Sequence, residues 1–122
     1  MIIEEKKLKK FSNYTVLFDC RLDYLSLSYL QSVYLQFTNE YIKVTLDQYN
    51  SDSDLIIFIN KIEKVNFGNK SLLKNQTINY KINKSILQII LNTGLYYEYT
   101  LDNNDLGISI VKLIALIKKC FA

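Results

Sequence analysis

The 122 residues predict a mainly β domain of the α+β class: about seven antiparallel strands forming a bent barrel or sandwich, closed by one C-terminal helix. Three observations carry this. Apolar residues recur with period two through most of the chain. The period changes to 3.6 after Asp102 and stays there to the end. Between these tracts lie short runs of Asn, Asp, Ser and Gly, the residues that turn a chain.

In chain order, residues 1–12 form a charged lead-in, and 13–122 form one domain. From Tyr14, period two sets Tyr14, Val16, Phe18 and Cys20 on one face, with Thr15 and Asp19 on the other. Leu22–Tyr24 and Leu25–Tyr29 read as a second strand with a register change. Val33, Leu35 and Phe37, then Ile42, Val44 and Leu46, make 33–46 a hairpin turning at Asn39-Glu40. Asn50–Asp54 is a loop. Leu55–Ile59 is a short apolar strand with no polar face, buried on both sides or carrying a surface patch. The apolar pattern runs on through Ile62, Val65 and Phe67 to Gly68. After a polar loop at 68–76, Ile78, Tyr80 and Ile82 alternate, Ile86–Leu91 is a strand, Thr93-Gly94 turns it, and Leu95–Leu101 alternates again.

Asp102–Asp105 offers N-cap side chains and negative charge for a helix at about 104–121. Leu106, Ile110, Ile114, Ile117 and Phe121 fall within an arc of about 80°, about 100° with Leu113. Lys118 and Lys119 sit in the last turn, where cations suit the dipole. Ile108, Val111, Ala115 and Leu116 lie outside that stripe, so the helix is more apolar than one buried face needs.

Composition narrows the functions. Histidine is absent, which removes the commonest general base, metal ligand and partner of a Ser or Cys nucleophile. Three glycines, Gly68, Gly94 and Gly107, cannot build a phosphate loop. The carboxylate pairs Asp19/Asp23 and Asp102/Asp105 read as strand-surface and capping residues. The segment Asn50-x-Asp52-x-Asp54 imitates a calcium loop but has Leu55 and Lys61 where an EF-hand needs Gly and Glu. No enzyme activity, metal or cofactor is therefore expected.

Neither a nucleic-acid nor a membrane partner is expected. The net charge is +3 and the single arginine is Arg21. Lysine beside tyrosine, as in Lys43 near Tyr41 and Lys81 near Tyr80, reads as ordinary strand composition. The run Lys6-Lys7-x-Lys9-Lys10 reads as a solvated tail behind Glu4 and Glu5. No apolar run reaches the roughly 18 residues of a membrane span, and the N-terminus lacks the pattern of a signal peptide. A cytoplasmic location follows, with Cys20 and Cys120 as reduced thiols and the sequons at Asn13, Asn69, Asn75 and Asn83 unused. The wealth of Asn, Ile, Lys and Tyr points to a low-GC bacterial or phage genome.

The order of elements resembles the pleckstrin-homology (PH) superfold. The segment Val33–Asp47 and then Asp54–Gly68 looks like the bacterial PH-like and GRAM-like domains. Ile62, Val65, Phe67 and Gly68 match their I-x-x-V-x-[YF]-G rhythm, and Tyr97–Asn103 looks like their last strand. The resemblance covers residues 33–121 and implies a bent barrel plugged by its helix, acting as a protein-interaction or self-assembly module. Lipid-binding members carry spaced Lys/Arg between their first two strands. Here Tyr14–Phe37 offers Arg21 against Asp19 and Asp23, so headgroup binding is not implied.

The expected function is thus non-enzymatic protein contact with a partner protein or with itself. The alternatives are a small phage or mobile-element inhibitor acting on a host protein, and a lipid- or nucleic-acid-binding domain. The candidate contact residues are Ile108, Val111 and Leu116 on the helix, and Ile57 and Phe58 in the apolar strand. Left exposed they would form an apolar patch, the usual mark of a contact. Burying each is worth roughly 1.5–3 kcal/mol, enough in sum for a modest homodimer unless the loop 68–76 and the N-terminal segment cover them.

Overall fold

The computed structural model describes residues 14–25, 30–46, 54–68 and 85–121. Alternating apolar residues produce seven strands: β1 (Phe18–Leu25), β2 (Leu30–Phe37), β3 (Tyr41–Leu46), β4 (Leu55–Phe58), β5 (Ile62–Gly68), β6 (Ser85–Leu91) and β7 (Tyr96–Leu101). Among the described residues one α-helix, α1, follows at Asn104–Phe121. All six strand pairings are antiparallel, in the order β4-β3-β2-β1-β7-β6-β5.

The strand order puts β4 and β5 at opposite ends of the sheet, yet they are consecutive in the chain. Laid flat, seven strands would separate these ends by about 29 Å. The link is only the 3-10 turn Ile59–Lys61, whose few residues reach at most about 14 Å. The sheet must therefore curl until its ends approach. Two backbone bonds hold the link in place. Ile59 N–H donates to Glu40 O and Asn92 N–H to Lys61 O, each at 2.9 Å. The turn is thus fastened to the β2–β3 hairpin on one side and to the β6–β7 turn on the other.

The concave side is the core. It gathers Val33, Leu35 and Phe37 of β2, Ile42 and Val44 of β3, Leu87 and Ile89 of β6, and Tyr99 and Leu101 of β7. α1 closes it with Ile110, Leu113, Ile114 and Ile117, four of the stripe residues read from the 3.6 period. The Asn103 side chain caps the helix, its Oδ1 accepting from Leu106 N–H at 3.1 Å. The helix can lie close because position 107 is glycine. A Cβ there would collide with three atoms of the Phe67 ring.

Both tight turns form where expected. Thr38 Oγ1 accepts from the N–H groups of Glu40 and Tyr41 at 3.2 and 3.1 Å. Gly94 has φ +91°, a conformation that carries a steric penalty for residues with a Cβ.

The first part of the domain differs from the sequence reading. β1 is one strand, paired in a single register from Phe18↔Phe37 to Leu25↔Leu30. No register change occurs at residues 22–25. Arg21 pairs with Tyr34 within the strand rather than marking a break, although the burial alternation itself ends at Tyr24, with Leu25 buried. Tyr14 and Val16 precede the strand and are exposed rather than facing inward with Phe18 and Cys20. The lead-in 1–12, the loop residues 50–53 and the alternating segment 78–82 lie outside the described residues. Among the described residues, no helix is long and apolar enough to cross a membrane.

Candidate interaction surface

β4 supplies the clearest candidate. Its four residues alternate: Leu55 and Ile57 pack inward against Val44 and Ile42, while Ile56 and Phe58 point outward. Ile56 is 40% exposed and Phe58 46%. Beside them on β3, Tyr41 faces Phe58 and Lys43 faces Ile56. The Tyr41 and Phe58 rings meet edge to face with centroids 6.5 Å apart, a favourable aromatic geometry. Lys43 Nζ lies 3.5 Å from Asp54 Oδ2. The outer corner of the sheet is thus two aliphatic or aromatic side chains beside a neutralised ion pair.

The backbone of β4 has its own direction. Ile59 N–H donates to Glu40 O, which makes Glu40/Ile59 a hydrogen-bonded pair. Hydrogen-bonded and non-hydrogen-bonded pairs alternate in an antiparallel ladder. Leu55 and Ile57 therefore turn their N–H and C=O toward β3, whereas Ile56 and Phe58 turn theirs away. The two residues with exposed apolar side chains are also the two whose backbone groups lie on the edge that, among the described residues, no strand pairs.

The other end of the sheet is protected. β5 carries Glu63 and Lys64 and a register irregularity between Ile62 and Lys64. Lys118 Nζ donates to Ile62 O at 2.5 Å and approaches Glu63 O at 3.5 Å. Charge, bulge and a covering side chain are the usual defences of a sheet edge. β4 has no charged residue, proline or bulge along Leu55–Phe58.

Of the expected contact residues, Phe58 is at this corner and Ile108 is 45% exposed on α1. Ile57 is a correction. It is 2% exposed and faces Ile42 in the core, because alternation sends neighbours on a strand to opposite faces. Val111 and Leu116 are half-buried and pack against the core from opposite flanks of the buried stripe. Much of the helix's excess apolarity is spent on a curved sheet that wraps more than one face.

A second feature is a cleft of about 660 Å³ at the β7–α1 junction, lined among others by Arg21, Asp23, Ser32, Thr100, Asp102 and Asp105. Asp105 lies in the first helical turn, where a carboxylate complements the dipole. Among the described residues no three Asp, Glu or Cys side chains gather closely enough to hold a metal ion. Beside the cleft, the Tyr34 hydroxyl donates to Asp19, and that bond is the main reason its pKa is raised. Arg21 lies 5.4 Å from the Tyr34 ring centroid.

Two groups that pack on the core, half-buried Cys20 and buried Tyr99, are harder to ionise than usual. Burial, helped by the charge of Asp19, pushes the Cys20 thiol up to about 12. Burial also raises the Tyr99 phenol, with Tyr24 and Tyr97 adding to the shift. Sequence reasoning missed a polar row across three strands. Asn66 Nδ2 donates to Gln88 Oε1 at 3.3 Å, and Gln88 Nε2 donates to Glu98 Oε2 at 2.8 Å. Glu98 and Gln88 are both buried. Single alternating polar positions gave no local sign that they would meet. The Lys6–Lys10 run and the Lys81/Tyr80 pair lie outside the described residues.

No family model matches the chain, and no curated protein matches it. Its fold is similar to the solution structure of the N-terminal PH domain of human ARAP2. That likeness has a TM-score of 0.62 and 15% identity, over 84% of this chain and 79% of that one. It is also similar to the crystal structure of the C-terminal domain of an unknown protein from Leishmania infantum. There the TM-score is 0.60 at 14% identity, over 85% of this chain and 84% of that one. At such identities the likeness is one of fold: seven antiparallel strands and a C-terminal helix in the PH-like arrangement.

Proposed function

We propose that this PH-like domain is a non-enzymatic protein-interaction module whose contact surface is the outward face and free edge of β4. The observation that carries the reading is the coincidence at Ile56 and Phe58 of exposed apolar side chains with edge-facing backbone groups. An extended partner strand adds hydrogen bonds to such an edge and places alternate side chains beside those already there. The non-enzymatic half of the proposal is supported by a chain without histidine and by carboxylates engaged elsewhere, Asp19 with Tyr34, Asp54 with Lys43 and Glu98 with Gln88.

The test is affinity capture with the intact chain, comparing wild type with Phe58→Lys. Phe58 points outward, so the variant keeps its fold while introducing a desolvation cost at the contact. Removing a buried aromatic contact of about 1.5–3 kcal/mol weakens a partner by roughly 10- to 100-fold. Proteins held by wild type should be lost from the variant. An identical captured set, with the purified partner binding both forms equally, would remove β4 from the function.

A further inference from the structure

We infer that the edge of β4 pairs antiparallel with the β4 edge of a second copy of this chain, about a two-fold axis at Ile57. The inference rests on the reading of β4 as the contact surface and names its occupant.

Direction of the backbone selects the registers. Groups on the free edge belong to Ile56 and Phe58, so a partner strand must place its own edge-facing residues opposite these two. With the axis at Ile57, Ile56 stands opposite Phe58 of the second copy and Phe58 opposite Ile56 of the second copy. Both facing pairs are then hydrogen-bonded, and both join apolar to apolar. Sliding by one pair sets Phe58 against Asp54 or Ile56 against Asn60 instead. Only the register centred on Ile57 matches all four exposed side chains.

Charge permits the meeting. Leu55–Phe58 carries no ionisable group, and the adjacent Lys43 and Asp54 neutralise each other at 3.5 Å. No like charges face each other across the seam. On the outer face the four apolar side chains form one block, bordered on each copy by Tyr41 and Lys43. The two seven-stranded sheets become continuous, which pairs the edge that β4 leaves open among the described residues. The protected state of β5, with Glu63, Lys64, the bulge and Lys118, leaves β4 as the edge for this union.

The size of the seam sets its strength. Four residues a side and two outward side chains each bury well under the roughly 1,200 Å² of a standard stable interface. The dimer is therefore weak, half formed at about 0.1–1 mM, and dissociated in dilute solution.

Sedimentation equilibrium of the purified full chain from about 20 μM to about 2 mM tests this. The mass should rise from 14.3 kDa toward twice that value. Phe58→Lys and Ile56→Lys should each raise the dissociation constant at least about tenfold with an unchanged far-ultraviolet spectrum. Amide exchange at Ile56 and Phe58 should slow as concentration rises, while that at Ile57, bonded within the sheet, should not. A mass of 14.3 kDa at the highest concentration overturns the inference, as does a dimer that both lysine variants leave intact. If capture of another protein depends on Phe58 while the chain stays monomeric, the interaction module stands and the second copy falls. If neither depends on Phe58, both fall.

Discussion

Replacing Gly107 by alanine should destabilise the domain, although the same change in an exposed helix stabilises. Two opposing effects set the size. Alanine is favoured over glycine within a helix by about 1 kcal/mol. Against this, a Cβ at 107 would press on Cε1, Cζ and Cδ1 of Phe67, with even the farthest of the three at 2.7 Å. Carbon atoms in good contact sit about 3.5–4.0 Å apart, so the ring or the helix must move by about an ångström. Forcing extra volume into a packed site costs typically about 1–3 kcal/mol. The net is a loss of about 1 kcal/mol, or a Tm lower by roughly 3–5 °C for a domain of this size. The assay is urea unfolding followed by far-ultraviolet dichroism and tyrosine fluorescence. The decisive comparison repeats Gly107→Ala in a Phe67→Ala background. There the obstacle is gone, and the same substitution should stabilise by up to about 1 kcal/mol, a coupling of about 2 kcal/mol in the double-mutant cycle. Stabilisation by Gly107→Ala in the otherwise unchanged protein, or equal effects in both backgrounds, would refute the close packing of α1 on β5.

Neighbouring residues on β4 should respond unequally: Ile57→Ala should cost about 2–5 kcal/mol by opening a core cavity, while Phe58→Lys should cost no more than about 0.5–1.5 kcal/mol, the worth of its ring contact with Tyr41, both read by denaturant titration. Asn103→Ala removes the side-chain acceptor for Leu106 N–H and should cost about 1 kcal/mol in the same titration. The Cys20 thiol, raised from 9.0 to about 12, should remain protonated at pH 9 in the folded chain. Iodoacetamide should therefore label Cys20 far more slowly in native protein than in urea-unfolded protein, followed by peptide mass analysis. The same groups give the alkaline stability a sign. Cys20 and Tyr99 are both raised in the fold, so the unfolded chain loses its protons first. Their contribution is complete below pH 9 and is lost as pH climbs from about 9 toward 12. Thermal melts between pH 8 and 11 should show Tm falling; a Tm that rises over this range would contradict both burials.

Local pattern was enough for the elements from Val33 to Gly68 and from Ile86 onward, failed at β1, and was insufficient for their meeting. Period two in Val33–Phe37 and Ile42–Val44, the turn at Asn39-Glu40, and the switch to 3.6 after Asp102 are properties of a few adjacent residues, and each appears where the sequence places it. The C-terminal helix even keeps its expected bounds, because its cap at Asn103 and its buried stripe are both local. By contrast, pairings such as Asp23↔Thr100, which joins β1 to β7, bring together residues far apart in the chain, and no local period encodes them. That pairing order leaves β4 and β5 as ends, and the short 3-10 link then curls the sheet. Only the resulting curvature decides that Val111 and Leu116 rest on core while Ile108 does not. The sequence marked Leu55–Ile59 as apolar without a polar face, but it could not separate Ile57 from Phe58 as buried from exposed. That separation belongs to the ladder with β3, whose register sends alternate side chains to opposite faces and alternate backbone groups to opposite edges.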